Sequence, residues 1–93
     1  MRTIKRTTKF KRDYKREAKG LFRTTLDKDL RAVLALLMAD QPLSERYRDH
    51  PFSGNWRDHR DCHVRPDLVP IYRKPDAETL ELVRLGSHSE PSL

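Results

Sequence analysis

This chain has one cysteine, one tryptophan and three glycines, and what it lacks removes several classes of protein at once. Cys62 alone cannot form an intramolecular disulfide, which suits a reducing compartment. No P-loop, GxGxxG or G-x-S-x-G pattern is present, so nucleotide-binding and serine-hydrolase readings have no phosphate-cradling or nucleophile turn to rest on. No apolar run approaches the roughly 18 residues of a membrane helix, and the opening MRTIKRTTKF has no apolar stretch of the secretory kind. Once the helices have supplied a core, no amphipathic segment is left over for a membrane surface. The expectation is a cytoplasmic protein with no membrane partner. There are no repeats and no low-complexity segments.

Charge, by contrast, is plentiful. Twenty Lys+Arg against fourteen Asp+Glu give a net charge of +6, which favours a polyanionic partner through phosphate attraction. A merely soluble basic surface has the same composition. At 93 residues, with 35% hydrophobic and 37% charged, the chain has room for one core only, so residues 1–93 are read as a single small domain.

Taken in order, RTIKR at the N-terminus suits the edge strand of a sheet, with Ile4 between flanking polar residues. Phe10, Tyr14, Ala18 and Leu21 then recur at helical spacing, with Thr7 or Thr8 to cap the helix and Gly20 to end it. A second helix starts near Thr25, where Asp27 and Asp29 complement its dipole; Leu26, Leu30, Val33, Leu34, Leu37 and Met38 form its stripe, and Pro42 stops it. The short connection predicts an antiparallel helix hairpin. Leu43 to Asn55 reads as a loop, followed by strands at Trp56–Val64, Leu68–Arg73 and Thr79–Leu85. Pro70 implies a bulge or a missing ladder bond in the second of these. Alternation in the third puts Leu80, Leu82 and Arg84 on one side and Glu81, Val83 and Leu85 on the other. The resulting class is α+β, a helix hairpin packed on an antiparallel sheet of three to four strands that includes the N-terminal one.

All four histidines, His50, His59, His63 and His88, fall in the C-terminal half beside arginines and carboxylates. RNA cleavage by transphosphorylation needs a base for the 2′-OH, an acid for the leaving 5′-oxygen and a cation for the charged phosphorane. His50, His63 and His88 could move protons, Arg84 or Arg60 could supply charge, and Asp67 could orient a histidine or act as a base. The same residues have plainer readings as surface or hydrogen-bonded histidines and cross-strand ion pairs. His59, Cys62 and His63 with a further histidine could be assembled into a metal set, but H-x-x-C-H matches no usual zinc spacing and no metal or cofactor is expected. Phe52, Trp56 and Tyr72 could stack on bases, although packing is the commoner use of such side chains.

Three runs of residues carry a family resemblance. Asp49, His50, Pro51, Phe52, Gly54 and Trp56 make the first; Arg60, Asp61, His63, Val64, Pro66 and Asp67 the second; Arg84, Gly86, Ser87 and His88 the third. In these positions and in its strand, two-helix, meander layout, the chain resembles the YafQ branch of the RelE/ParE superfamily of type II toxin–antitoxin toxins. The resemblance implies a RelE-like fold and a ribosome-dependent endoribonuclease that cuts translated mRNA and so inhibits translation. It implies His50, His63, Asp67 and His88 as the acid–base set, with Arg84 toward the substrate phosphate, where the residue reading adds Arg60, and it leaves His59 as a surface residue. The implied partners are mRNA in the A site of the 70S ribosome and a small DNA-binding antitoxin whose acidic segment wraps the toxin. Leu68 stands where the family usually has an aromatic, Pro70 where it has an aliphatic, and Ser92 where it commonly has a closing aromatic. A non-catalytic ParE-like or decayed toxin acting only by protein binding is the alternative, and a non-toxic basic ribosomal or nucleic-acid accessory protein a third reading.

Overall fold

Thr7 is where the first strand becomes the first helix. Its backbone is extended (φ −72°, ψ 162°) and its Oγ1 accepts the N–H of Phe10 at 3.0 Å, capping helix α1, Thr8–Ala18. Such a cap stabilises a helix by about 1 kcal/mol. The structure is a computed structural model and describes residues 1–20, 23–51 and 58–86; Leu21, the last member of the expected first stripe, lies outside them. Helix α1 buries Phe10 as expected, but also Asp13.

Helix α2, Leu26–Met38, buries Leu26, Leu30, Val33 and Leu37, spaced four, three and four apart as a single face requires. Asp27 and Asp29 lie in its first turn, whereas Thr25 precedes it without a capping side-chain bond. Pro42 does not itself stop this helix. Asp40 takes left-handed backbone (φ 55°), its N–H reaches Leu37 O at 3.2 Å and the N–H of Gln41 reaches Leu36 O at 2.9 Å. That pair of bonds is a Schellman end, which a following proline commonly accompanies.

The sheet has five strands rather than three to four: β1 (Thr3–Arg6), β2 (His50–Pro51), β3 (His59–Asp61), β4 (Val69–Arg73) and β5 (Thr79–Gly86), in the order β1-β5-β4-β3-β2. The extra strand, β2, and a 3-10 turn at Glu45–Tyr47 come from the stretch expected to be loop. As expected, β1 is an edge strand, and it runs parallel to β5 with Thr3 opposite Thr79 and Arg6 opposite Leu82. All other pairings are antiparallel. The helices supply Phe10, Leu26, Leu30, Val33 and Leu37 to one core, and the sheet side answers with Cys62, Val64, Leu68, Tyr72, Leu80, Leu82 and Leu85.

Leu85 belongs to that core because the alternation of β5 breaks. Tyr72 faces Leu82, but the next pair is Ile71 with Arg84, so Val83 is an extra residue. This β-bulge lies one position beyond Pro70, and it moves Leu85 to the side of Leu80 and Leu82 where strict alternation would have placed Arg84.

Candidate functional site

Helix α1 runs on past the end of β1, and its side chains take over the bonds that β1 would have made to β5. Thr7 donates from N–H to Leu82 O (3.1 Å) and from Oγ1 to Val83 O (2.7 Å). Asp13 Oδ2 accepts the N–H of Leu85 at 3.0 Å, and Arg16 Nη2 donates to Leu85 O at 3.0 Å. Arg84 is bound into the same group, its Nε 2.7 Å from Asp13 Oδ2. Burial disfavours a charge on Asp13, yet the bonds from Arg84 and the Leu85 N–H, with the nearby Arg16, outweigh it and hold the carboxyl below its usual range.

At the other end of the sheet, β2 and β3 set His50 opposite Asp61. His50 Nε2 is 2.9 Å from Asp61 Oδ1, and Nδ1 is 2.6 Å from the carbonyl of Arg48. Arg48 can offer that carbonyl because it closes the 3-10 turn in left-handed backbone (φ 49°), a conformation costing roughly 1–2 kcal/mol outside glycine. Both ring nitrogens thus face oxygen acceptors. The Nδ1 contact has hydrogen-bond geometry, whereas the approach of Nε2 to the buried Oδ1 is an ion-pair contact.

His63 follows β3, tied down by its N–H to Tyr47 O at 2.5 Å, and its ring centroid lies 6.4 Å from that of His50. Its Nδ1 is 3.3 Å from Pro66 O. A carbonyl only accepts, so this contact favours the tautomer with a proton on Nδ1. The turn that supplies Pro66 also carries Asp67, which is exposed. A cleft of about 1060 Å³ opens beside His63 between α2 and the 3-10 turn, lined by the cations Lys28, Arg46, Arg48 and Arg65 together with Tyr47 and Asp29.

The remaining expected residues are placed as follows. Arg60 lies one row over from Asp61, opposite Tyr72, and its Nε is 3.3 Å from Asp49 Oδ1. Successive rows of a strand face opposite sides of the sheet, and Tyr72 belongs to the helix-side core. Arg60 is therefore turned away from His50 and into an ion pair. Tyr72 is buried and donates its hydroxyl to Asp49; burial first, and then that carboxylate, push its ionisation up, so it is a packed donor rather than a base-stacking surface. His59 is half-buried on β3, opposite Arg73. His88, Phe52 and Trp56 lie outside the described residues.

Asp61, placed by the sequence in the second motif but given no role there, is the buried carboxylate beside His50. A buried carboxylate two positions before a histidine, on a strand paired to a second histidine, was the available signal. Cys62 is fully buried, and burial, with Asp49 and Asp61 nearby, pushes its thiol up to about 12, which makes it a poor thiolate. Among the described residues no group of three or more His, Cys, Asp or Glu could hold a metal ion.

Two helices on one face of a mostly antiparallel sheet, with imidazoles and a buried carboxylate gathered at one end of it, define a small α+β protein equipped for proton transfer. The family model for the bacterial toxin of type II toxin–antitoxin system, YafQ, matches residues 2–91. The chain belongs to this YafQ toxin family. It is 33% identical over 88 residues to the mRNA interferase toxin YafQ of Escherichia coli K12, covering 92% of this chain and 95% of that one. A Haemophilus influenzae relative is 42% identical over 55 residues, and there the chain spans 54% of the relative's length. In the solved E. coli DinJ–YafQ complex, one chain superposes with a TM-score of 0.80 at 32% identity over 96% of both chains.

Proposed function

We propose that this protein is an endoribonuclease that cuts mRNA in the ribosomal A site, with His50 and His63 as its proton-transfer pair. The observation that carries this reading is the pairing of two imidazoles, ring centroids 6.4 Å apart, one of which has a buried carboxylate 2.9 Å from its Nε2. His63, with Nδ1 turned to a carbonyl, is the base that takes the 2′-OH proton. The freed oxygen attacks the adjacent phosphorus, the bond to the 5′-oxygen breaks, and His50 as imidazolium protonates that leaving oxygen. Asp61, 2.9 Å from Nε2, orients His50. A substrate oxygen reaches a nitrogen of His50 only by exchange with Asp61 or the Arg48 carbonyl, and the half-exposed ring leaves room for that exchange. Asp67 and His88 complete the set on the strength of the family resemblance, with Arg84 facing the phosphate. Arg60, bound to Asp49, is the weaker phosphate ligand.

The basic cleft beside His63 supports an RNA path along the protein. The 70S ribosome presents the message, the toxin acts in the cytoplasm, and an antitoxin with an acidic segment silences it by covering basic surface. An E. coli relative, YafQ, is solved in complex with DinJ. Mapping mRNA 5′ ends after incubation with translating ribosomes tests the reading. Cuts within codons that vanish with His63→Ala and His50→Ala are expected; intact mRNA with the wild-type protein, or growth arrest without cleavage, would refute it in favour of a toxin that acts by binding.

A further inference from the structure

We infer that Asp13, together with Arg16, is a positioning residue that sets the geometry of Arg84 and of the end of β5 for cleavage. The inference rests on the reading of Arg84 as the phosphate-facing cation. Asp13 is a buried acid in a helix whose other buried residue is Phe10. It meets more than one donor: Arg84 Nε at 2.7 Å, Arg84 Nη2 at 3.4 Å, Leu85 N at 3.0 Å and Arg16 Nη1 at 3.3 Å. Arg16 closes the group by donating to Leu85 O at 3.0 Å.

Stability alone is a weak reason for this arrangement, since a buried ion pair is often no better than apolar packing of the same volume. Its location supplies a further reason. The clamp grips the first residues after the bulge at Val83, and bulges commonly re-aim side chains beside active sites. Leu85 is held by both its N–H and its C=O, so the path of the chain into Gly86 is fixed from α1. Arg84 shares a cross-strand row with Ile71, Asp61 and His50, so a shift of its guanidinium is a shift relative to the proton-transfer pair.

The test is a double-mutant cycle on the full chain, with single-turnover mRNA cleavage on translating ribosomes as the readout and circular dichroism as the check on folding. Asp13→Asn and Arg16→Gln should each lower the saturated rate by about tenfold or more, the scale expected when a reacting geometry drifts by a fraction of an ångström to an ångström. The toxin concentration giving half-maximal rate should stay unchanged. In an Arg84→Gln background each substitution should lower the rate by much less, because the main part of its effect runs through Arg84. Arg16 is half-exposed, so Arg16→Gln carries the same test if Asp13→Asn does not fold. Wild-type rates in folded Arg16→Gln, or equal losses with and without Arg84, would overturn the inference while leaving the nuclease reading intact. A wild-type protein that cleaves no mRNA overturns the nuclease reading itself.

Discussion

The sheet carries two carboxylate–cation pairs at opposite ends of one cross-strand row, His50 with Asp61 and Arg84 with Asp13. Both acids are buried, with side chains 7% and 5% exposed, but the cationic partners differ: His50 is 53% exposed and Arg84 17%. One carboxylate therefore holds a side chain that can exchange its partner for substrate, and the other holds one in place. Strands are about 4.8 Å apart, so the three steps from His50 to Arg84 span roughly 14 Å.

The comparison is most severely tested at the exposed end. His63→Ala and His50→Ala should each reduce cleavage by about 10²–10⁴-fold, and His63→Ala should leave the urea midpoint nearly unchanged, since its ring is not part of the core; a rate within tenfold of wild type would remove the distinction. At the locked end the dominant effect should be on stability. Asp13→Asn leaves Arg84 without its anion, and removing one partner of a buried pair costs about 3 kcal/mol or more, measurable by urea unfolding at pH 7.

Acid should act on the same end. Because the folded-state pKa of Asp13 is lowered, its contribution to stability is fully present above the unfolded value of about 4 and is lost as pH falls through the folded value. Asp40, held at about 2 by its bonds from Lys74 and then Arg2, acts in the same direction over the window from about 4 down to about 2. Urea midpoints compared at pH 5 and pH 3 should fall in the wild type, and the fall should be smaller in Asp13→Asn. The smallest effect expected is for Thr7→Ala, which removes the α1 cap and the bond to Val83 O and should cost about 1–2 kcal/mol.

Much of this layout was legible in the sequence. The stripe of α2, the Thr7 cap, the edge position of β1 and the strands β4 and β5 follow from local periodicity and turn chemistry, which the chain carries at short range. His50 and His63 stood out because paired imidazoles suggest proton transfer before any fold is known. Asp13 and Asp61 did not stand out, because an acid among lysines and arginines reads as a solvated charge until distant residues bury it. Likewise, nothing within β5 marks Val83 as the extra residue. The register with β4 decides that, and with it which of Arg84 and Leu85 faces the core.

The parallel edge strand also has a consequence for how the protein is made. β1 pairs with Thr79–Leu82, and Thr7 bonds to Val83 across a separation of 76 positions. While the chain is still growing, β1 and α1 have no strand to dock on, and Leu80, Leu82 and Leu85 are missing from the core the helices need. Contacts so distant in sequence form late and slowly. An unfinished copy therefore lacks the strand that holds Arg84, and this toxin assembles its working form only after its own message has been read through β5.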